Sequence, residues 1–177
     1  DFGNEWENYD QSSVDPKELE KQFSDYFKIF SWNENITNGI GVDFGCGTGR
    51  WAKFVAEKVN FLICIDASSK ATNVAKRNLI DKKNCYVIQC MIDKLPILDN
   101  SLDFAYSLGV LHHLPDTGCA MKSCADKLKS GAPFLIYLYY AFDNRPFWYF
   151  LIWKCTDIIR KIVSKSPFFL KYFLTNI

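Results

Sequence analysis

The chain has 177 residues, 49% hydrophobic, 16% aromatic and 23% charged, with a formal net charge of +1. That is enough for one globular domain burying roughly 70% of its unfolded surface. The near-neutral balance excludes the global basic field of a nucleic-acid binder. Seven cysteines, with no Cys-x-x-Cys pair and only two histidines beside them, argue against a zinc site. The usage is that of buried thiols in a reducing cytosol. No signal-peptide pattern opens the chain. It starts without Met and stops inside an apolar segment at Ile177, so a fragment lacking the last strands of its fold is expected.

Residues 1–14 are polar but carry Phe2, Trp6 and Tyr9. They read as an N-terminal arm, either docking its aromatics on the domain or folding over a ligand mouth. Asp15-Pro16-Lys17-Glu18 is a helix start, with Asp as N-cap, Pro at the first position and Glu three after the cap. Leu19, Phe23, Tyr26, Phe27 and Phe30 follow at helical spacing and predict a helix packed on a sheet. Asn33 to Gly39 reads as a loop.

The organising stretch is Gly41 to Trp51. An apolar strand (Ile40, Val42, Phe44) runs into Gly45, Gly47 and Gly49 at alternate positions, and a helix pattern starts at Trp51 and extends to about Lys58. Such glycines let the chain turn sharply and bring a ligand close to main-chain N–H groups, next to the unpaired donors of the helix start. A dinucleotide fingerprint places its third glycine where Arg50 stands. Asp43, two residues before Gly45, would repel a pyrophosphate but could accept hydrogen bonds from a cation or a hydroxyl. Arg50 is poorly placed at a helix N-terminus, so a carboxylate partner is expected, either in the protein or on the ligand.

The rest of the core alternates strand and helix. Phe61 to Ile65 is a strand ending at Asp66, Ser68 caps a helix bearing Ala71, Val74, Ala75 and Leu79, and Cys85 to Cys90 is a third strand. Leu102 to Leu108 is a fourth. Leu114-Pro115-Asp116 opens a helix with Ala120, Cys124 and Leu128, stopped at Gly131, and Pro133 to Tyr140 is a fifth strand. This order predicts an α/β, doubly wound, Rossmann-like parallel sheet with helices on both faces, binding its ligand at the carboxyl ends of the strands. Asp66 lies 21 residues after Gly45, the spacing at which a strand-end carboxylate accepts ribose hydroxyls. The alternative is a solvated helix cap.

Asp43-Phe44-Gly45-Cys46-Gly47-Thr48-Gly49 resembles the first motif of the class I S-adenosylmethionine-dependent methyltransferases. Cys90 to Pro96, Ser101-Leu102-Asp103 and Val110-Leu111-His112-His113 are similar, in order, to motifs of the type 11 small-molecule methyltransferases, over residues 40–140. Met91 departs by standing where the family often has an Asp that reads the adenine amino group, and Ile97 replaces a Phe. The resemblance implies S-adenosyl-L-methionine as cofactor, held by Asp43, Gly45, Cys46, Gly47 and Gly49, by Asp66 and Ala67 at the ribose, and by Met91, Ile92 and Asp93 at the adenine. Ser107 and Leu108 would face the methionine portion. Asp103 is expected to be structural. His112 and His113 are candidate general bases, although the resemblance favours packing roles, since the pair recurs among members with unlike substrates.

The segment 145–177 differs in kind. Pro146 starts a helix with Trp148, Leu151, Ile152, Cys155, Ile159 and Ile162 on one face and Lys154, Asp157, Lys161 and Lys165 on another. A second apolar run spans Phe168 to Leu174. The segment carries +5 and the remainder −4, too charged and broken to span a bilayer. It reads as a helical lid or insertion, or as a peripheral membrane contact. The domains expected are thus an arm (1–14), a cofactor-binding core (15–142) and this basic, aromatic segment (143–177). The function implied is methyl transfer to an O, N or C nucleophile of a small molecule, apolar or lipid-linked if the lid has an apolar inner face. The alternatives are a non-catalytic cofactor-binding subunit and an NAD(P)-dependent oxidoreductase, the latter lacking a Tyr-x-x-x-Lys.

Overall fold

In a computed structural model of the chain, residues 15–139 and 145–165 are described. The expected arm (1–14) and the run 168–174 lie outside them. The backbone divides into two units, Asp1–Leu138 and Tyr139–Ile177.

The first unit begins with α1, Pro16–Tyr26. Asp15 caps it by accepting from the Lys17 amide, and Pro16 occupies the first turn, where a missing N–H costs nothing. A short second helix, α2 (Glu34–Thr37), replaces the loop expected at 33–39. Asn33 is its cap, accepting from the Ile36 amide at 3.1 Å, and Ile36 is driven into the core. The core elements then follow as β1 (Ile40–Phe44), α3 (Ala52–Val55), β2 (Phe61–Asp66), α4 (Ser69–Asn78), β3 (Cys85–Gln89), β4 (Phe104–Leu108), α5 (Thr117–Ala125) and β5 (Phe134–Tyr137).

All five strands are parallel, in the order β3-β2-β1-β4-β5. β1 enters at the centre, the chain winds outward through β2 to β3, then crosses back to lay β4 on the other side of β1. This reversal opens a crevice at the carboxyl ends of β1 and β4. Because side chains alternate across a sheet, Val42 and Phe44 join one core, with Ile65, Leu111, Ala120 and Cys124 beneath α5. Asp43 points to the other face, where Phe23, Phe27 and Phe30 of the α1 region meet Trp51, Leu62, Phe104 and Tyr106. Phe27 sits edge-on to Tyr106 with ring centroids 5.2 Å apart, which is how α1 is fixed to the sheet.

Two helices end earlier than their apolar spacing predicts. α3 stops at Val55, and the Asn84 side chain donates to the carbonyls of Ala56 and Val59 beyond it, both at 2.8 Å. α5 stops at Ala125, not near Gly131, because residues 127–129 pair with the lead-in to β4: Ser101 and Leu102 donate to Lys127, and Lys129 donates to Leu102. The fourth strand correspondingly starts at Phe104. Asp103 has the structural role expected of it. One oxygen accepts from the Ile40 amide at 2.9 Å and the other from Lys129 at 2.6 Å.

Gly41, in the middle of β1, has no room for a side chain: a β-carbon there would penetrate the Phe104 ring. Gly41→Ala is expected to destabilise the domain by about 1–3 kcal/mol through overpacking, read as a lower urea midpoint.

Candidate functional site

The site is built from the end of β1. Gly45, Gly47 and Gly49 have φ of 89°, 52° and 78°, a region that L side chains rarely adopt. The loop they form is fixed by its neighbours. The amides of Gly45 and Cys46 both donate to the Ile65 carbonyl, at 2.7 and 2.9 Å. Gly47 donates to Asp66 Oδ2 at 2.9 Å, and the Asn78 side chain of α4 donates to the Thr48 carbonyl at 2.9 Å. A β-carbon on Gly45 would collide with Val110, and one on Gly49 would lie 3.0 Å from Leu79 Cδ1. Gly49 is thus the glycine that lets α4 pack close, while Gly45 and Gly47 shape the loop itself. Cys46 is buried, its Sγ 3.8 Å from the Gly47 carbonyl.

Asp66 stands at the end of β2 with both oxygens engaged by main chain, Oδ2 by Gly47 and Oδ1 by the Ser68 amide at 2.9 Å. Each carboxylate oxygen keeps a further lone pair, so the group is oriented without being exhausted. This second task, holding the glycine loop, was not foreseen from the sequence; nor was Asn78.

Asp43 is 2% exposed, flanked in register by Cys64 and Tyr106. Burial raises its pKa from 3.8 to about 8, and the nearby Asp66 charge adds to the rise. The Tyr106 hydroxyl is close enough to soften this shift but does not complete a pair. Asp43 Oδ2 and Tyr106 Oη both lack a hydrogen-bond partner. An orphaned buried carboxyl under a glycine loop is costly, and it suits a ligand bearing a cation.

A cavity of about 480 Å³ opens at the carboxyl ends of the strands. Gly45, Asp66 and Ala67 form one wall, and Met91, Ile92 and Asp93 of a short 3₁₀ turn form another. The third wall is α5, through Asp116, Cys119, Ala120 and Ser123, with Val110 and Leu114 at its foot. That wall was not anticipated, since an amphipathic pattern does not say which residues border a ligand. Met91 is 55% exposed, free to lie against a flat ring, and Ile92 is buried. The size is that of a small-molecule site.

Other candidates fall outside the cavity walls. Ser107 is fully buried, its hydroxyl donating to the Phe44 carbonyl at 2.7 Å and bracing β4 against β1. Leu108 packs beside it against the α1-side core. His112 and His113 lie in a 3₁₀ turn past β4 with ring centroids 4.1 Å apart. Burial, and then the neighbouring His113, lower the His112 pKa, keeping it neutral near pH 7. The Arg50 guanidinium lies 4.0 Å over the Trp51 ring, a cation–π contact in place of the protein carboxylate expected as one option. A second cavity of about 590 Å³, at the amino ends of the strands, is bordered by Asn33, Asp103 and Lys129 and belongs to the structural end of the sheet.

The fold and this loop define a Rossmann-like α/β domain with a crevice at the carboxyl ends of its strands. Residues 42–136 match the family of methyltransferase domains. The chain belongs to that family, in agreement with its resemblance to the class I S-adenosylmethionine-dependent methyltransferases. It is 27% identical, over 148 residues, to a ubiquinone biosynthesis O-methyltransferase of Idiomarina loihiensis, covering 69% of this chain and 60% of that one. The chain spans about 60% of the length of the ubiquinone biosynthesis O-methyltransferases it matches. Its fold is that of an S-adenosyl-L-methionine-dependent methyltransferase structure from Methanococcus maripaludis, with TM-score 0.66 and 20% identity over 90% of this chain and 84% of that one. The fold also matches Haemonchus contortus phosphoethanolamine N-methyltransferase 1, solved with phosphoethanolamine and S-adenosylhomocysteine. That match has TM-score 0.56 and 20% identity, covering 72% of this chain and 29% of that one.

The Asp43 shift has a defined sign. With its pKa raised in the folded state, the folded protein holds a proton that the unfolded chain releases. The group's contribution to stability is therefore present at low pH, falls as pH rises from about 4 to 8, and is level above that. Asp43→Asn is expected to lose less stability than the parent between about pH 5 and pH 8, by a few kcal/mol, measured by urea unfolding across that range.

Proposed function

We propose that the chain binds S-adenosylmethionine in the crevice at the carboxyl ends of β1, β2 and β4 and transfers a methyl group to an oxygen, nitrogen or carbon nucleophile of a small molecule. The observation that carries this reading is the glycine loop locked to Asp66 beside the cavity, with Asp43, two residues before the loop, buried and its Oδ2 without a partner. The cofactor supplies an electrophilic methyl on a sulfonium.

In this reading the chain's residues bind and orient. Asp66 accepts from ribose hydroxyls beside Ala67, while Asp43, with main-chain carbonyls at Ser107 and Leu108, receives the ammonium. The Ile92 amide and the Met91 side chain meet the adenine, and Asp93 takes the amino group that Met91 cannot read. The apolar walls exclude water and hold nucleophile and methyl in line, which can supply most of the rate without a strong acid or base. His112 and His113, past the end of β4, are the two candidate proton acceptors. The ubiquinone and phosphoethanolamine relatives differ in acceptor, so the core alone does not select one. An apolar or lipid-linked acceptor is the reading we favour, on the strength of the basic, apolar helix described below. A cytoplasmic location is supported by the seven free cysteines.

Isothermal titration of the chain with S-adenosylmethionine and S-adenosylhomocysteine tests the proposal, with NADH as control. Binding of both sulfur compounds and not of NADH is expected. Asp66→Ala, by losing ribose and loop hydrogen bonds, and Gly47→Val, by placing a β-branched residue at a φ of 52°, are each expected to weaken binding at least about tenfold. Unchanged affinity in a folded variant would sink the site assignment. Binding of NADH alone would favour the oxidoreductase, and cofactor binding without turnover on any acceptor the non-catalytic subunit.

A further inference from the structure

The second unit contains α6, Phe147–Lys165, a helix of 19 residues, about 28 Å long. Placed at 100° per residue, Phe147, Leu151 and Ile158 line up with Trp148, Ile152 and Ile159 along one continuous arc of roughly 140°. All six are between 48% and 74% exposed. An uncovered apolar stripe of this length is a contact surface.

The charges say what it contacts. Between Arg145 and Lys165 the net charge is +4. The sole carboxylate, Asp157, is held by Arg160 at 2.6 Å and Lys161 at 2.7 Å, so no anionic spot faces outward. Lys154 and Lys161 fall along one border of the apolar arc, Lys165 falls in line with Phe147, and Arg160 lies toward the opposite face. Lys154 lies 5.0 Å over the Phe150 ring and Arg145 5.5 Å over Tyr149, so apolar stems and rings extend the greasy face while the charged heads stay at its margin. A protein groove would be served by the apolar arc alone. Cations lining one border and the end of the arc, with Trp148 inside it, match the boundary between lipid chains and anionic headgroups. Among the described residues no helix is long and apolar enough to cross a membrane, so the helix would lie in the plane of the surface.

We propose that α6 docks the protein on an anionic lipid bilayer, apolar arc inward and Lys154, Lys161 and Lys165 against the headgroup phosphates. This stands independently of which acceptor the crevice serves.

Flotation of the full chain with vesicles of phosphatidylcholine, with and without phosphatidylglycerol, tests it. The chain is expected to float with the anionic vesicles in low salt, and to do so at least about tenfold less with neutral ones or in about 0.5 M salt, where charges are screened within a few ångströms. Ile158→Asp should abolish association, and Lys154→Glu with Lys161→Glu should cut it at least about tenfold. S-adenosylhomocysteine affinity, measured in parallel, reports that each variant is folded. It also separates failure of this inference from failure of the cofactor site. Absence of the parent chain from anionic vesicles, or undiminished association of the folded variants, overturns the proposal. So does a concentration-dependent dimer that Ile158→Asp dissociates without any vesicle binding, which would assign the face to a second copy.

Discussion

The hydrogen bond from the Gly47 amide to Asp66 is the constraint on which the rest of the site depends. A loop with three residues at positive φ is flexible when unanchored, and fixing it costs conformational entropy. Here the cost is offset by main-chain donors of the loop closing on the end of β2, two on the Ile65 carbonyl and one on the Asp66 carboxylate. One side chain therefore sets both the shape of the loop and the position of the acceptor beside it, so loop and crevice are a single object. Val110, filling the space that a side chain at Gly45 would need, ties the end of β4 into the same arrangement.

The parallel sheet and its ligand-binding ends were legible because apolar runs alternate with helix patterns and end at Gly45 and Asp66. Helix starts were also legible, since Asp15, Ser68 and Asp116 cap by short-range hydrogen bonds encoded within three residues. Asn33 carried the same signal, and reading 33–39 as a loop overlooked it. Helix ends were not legible. The apolar spacing through Leu128 continues past Ala125, but the backbone at 127–129 finds better partners at Ser101 and Leu102, a contact visible only once the chain is folded. The same limit hid the α5 wall of the cavity and the placing of Tyr106 beside Asp43, which depend on contacts between elements distant in sequence.

The two units divide their physics. The first is a sheet between two apolar cores, with its glycine loop at the carboxyl ends of the strands. The second holds a helix whose arc of apolar residues is exposed and bordered on one side by lysines. Relatives on this fold carry names that join it to a quinone oxygen and to an aminoalcohol nitrogen. Such range is intelligible when the shared loop handles the donor of the transferred group and other segments meet the acceptor.

Asp43 has a thermodynamic consequence of its own. An acid kept protonated by burial is a store of unfavourable free energy placed at the centre of the sheet, two residues before the glycine loop. Whatever cation reaches Asp43 Oδ2 would turn that liability into a charge pair and expel a proton as it does so. Occupancy of the crevice, the protonation of one carboxyl and the rigidity of the sheet centre would then be three readings of a single equilibrium.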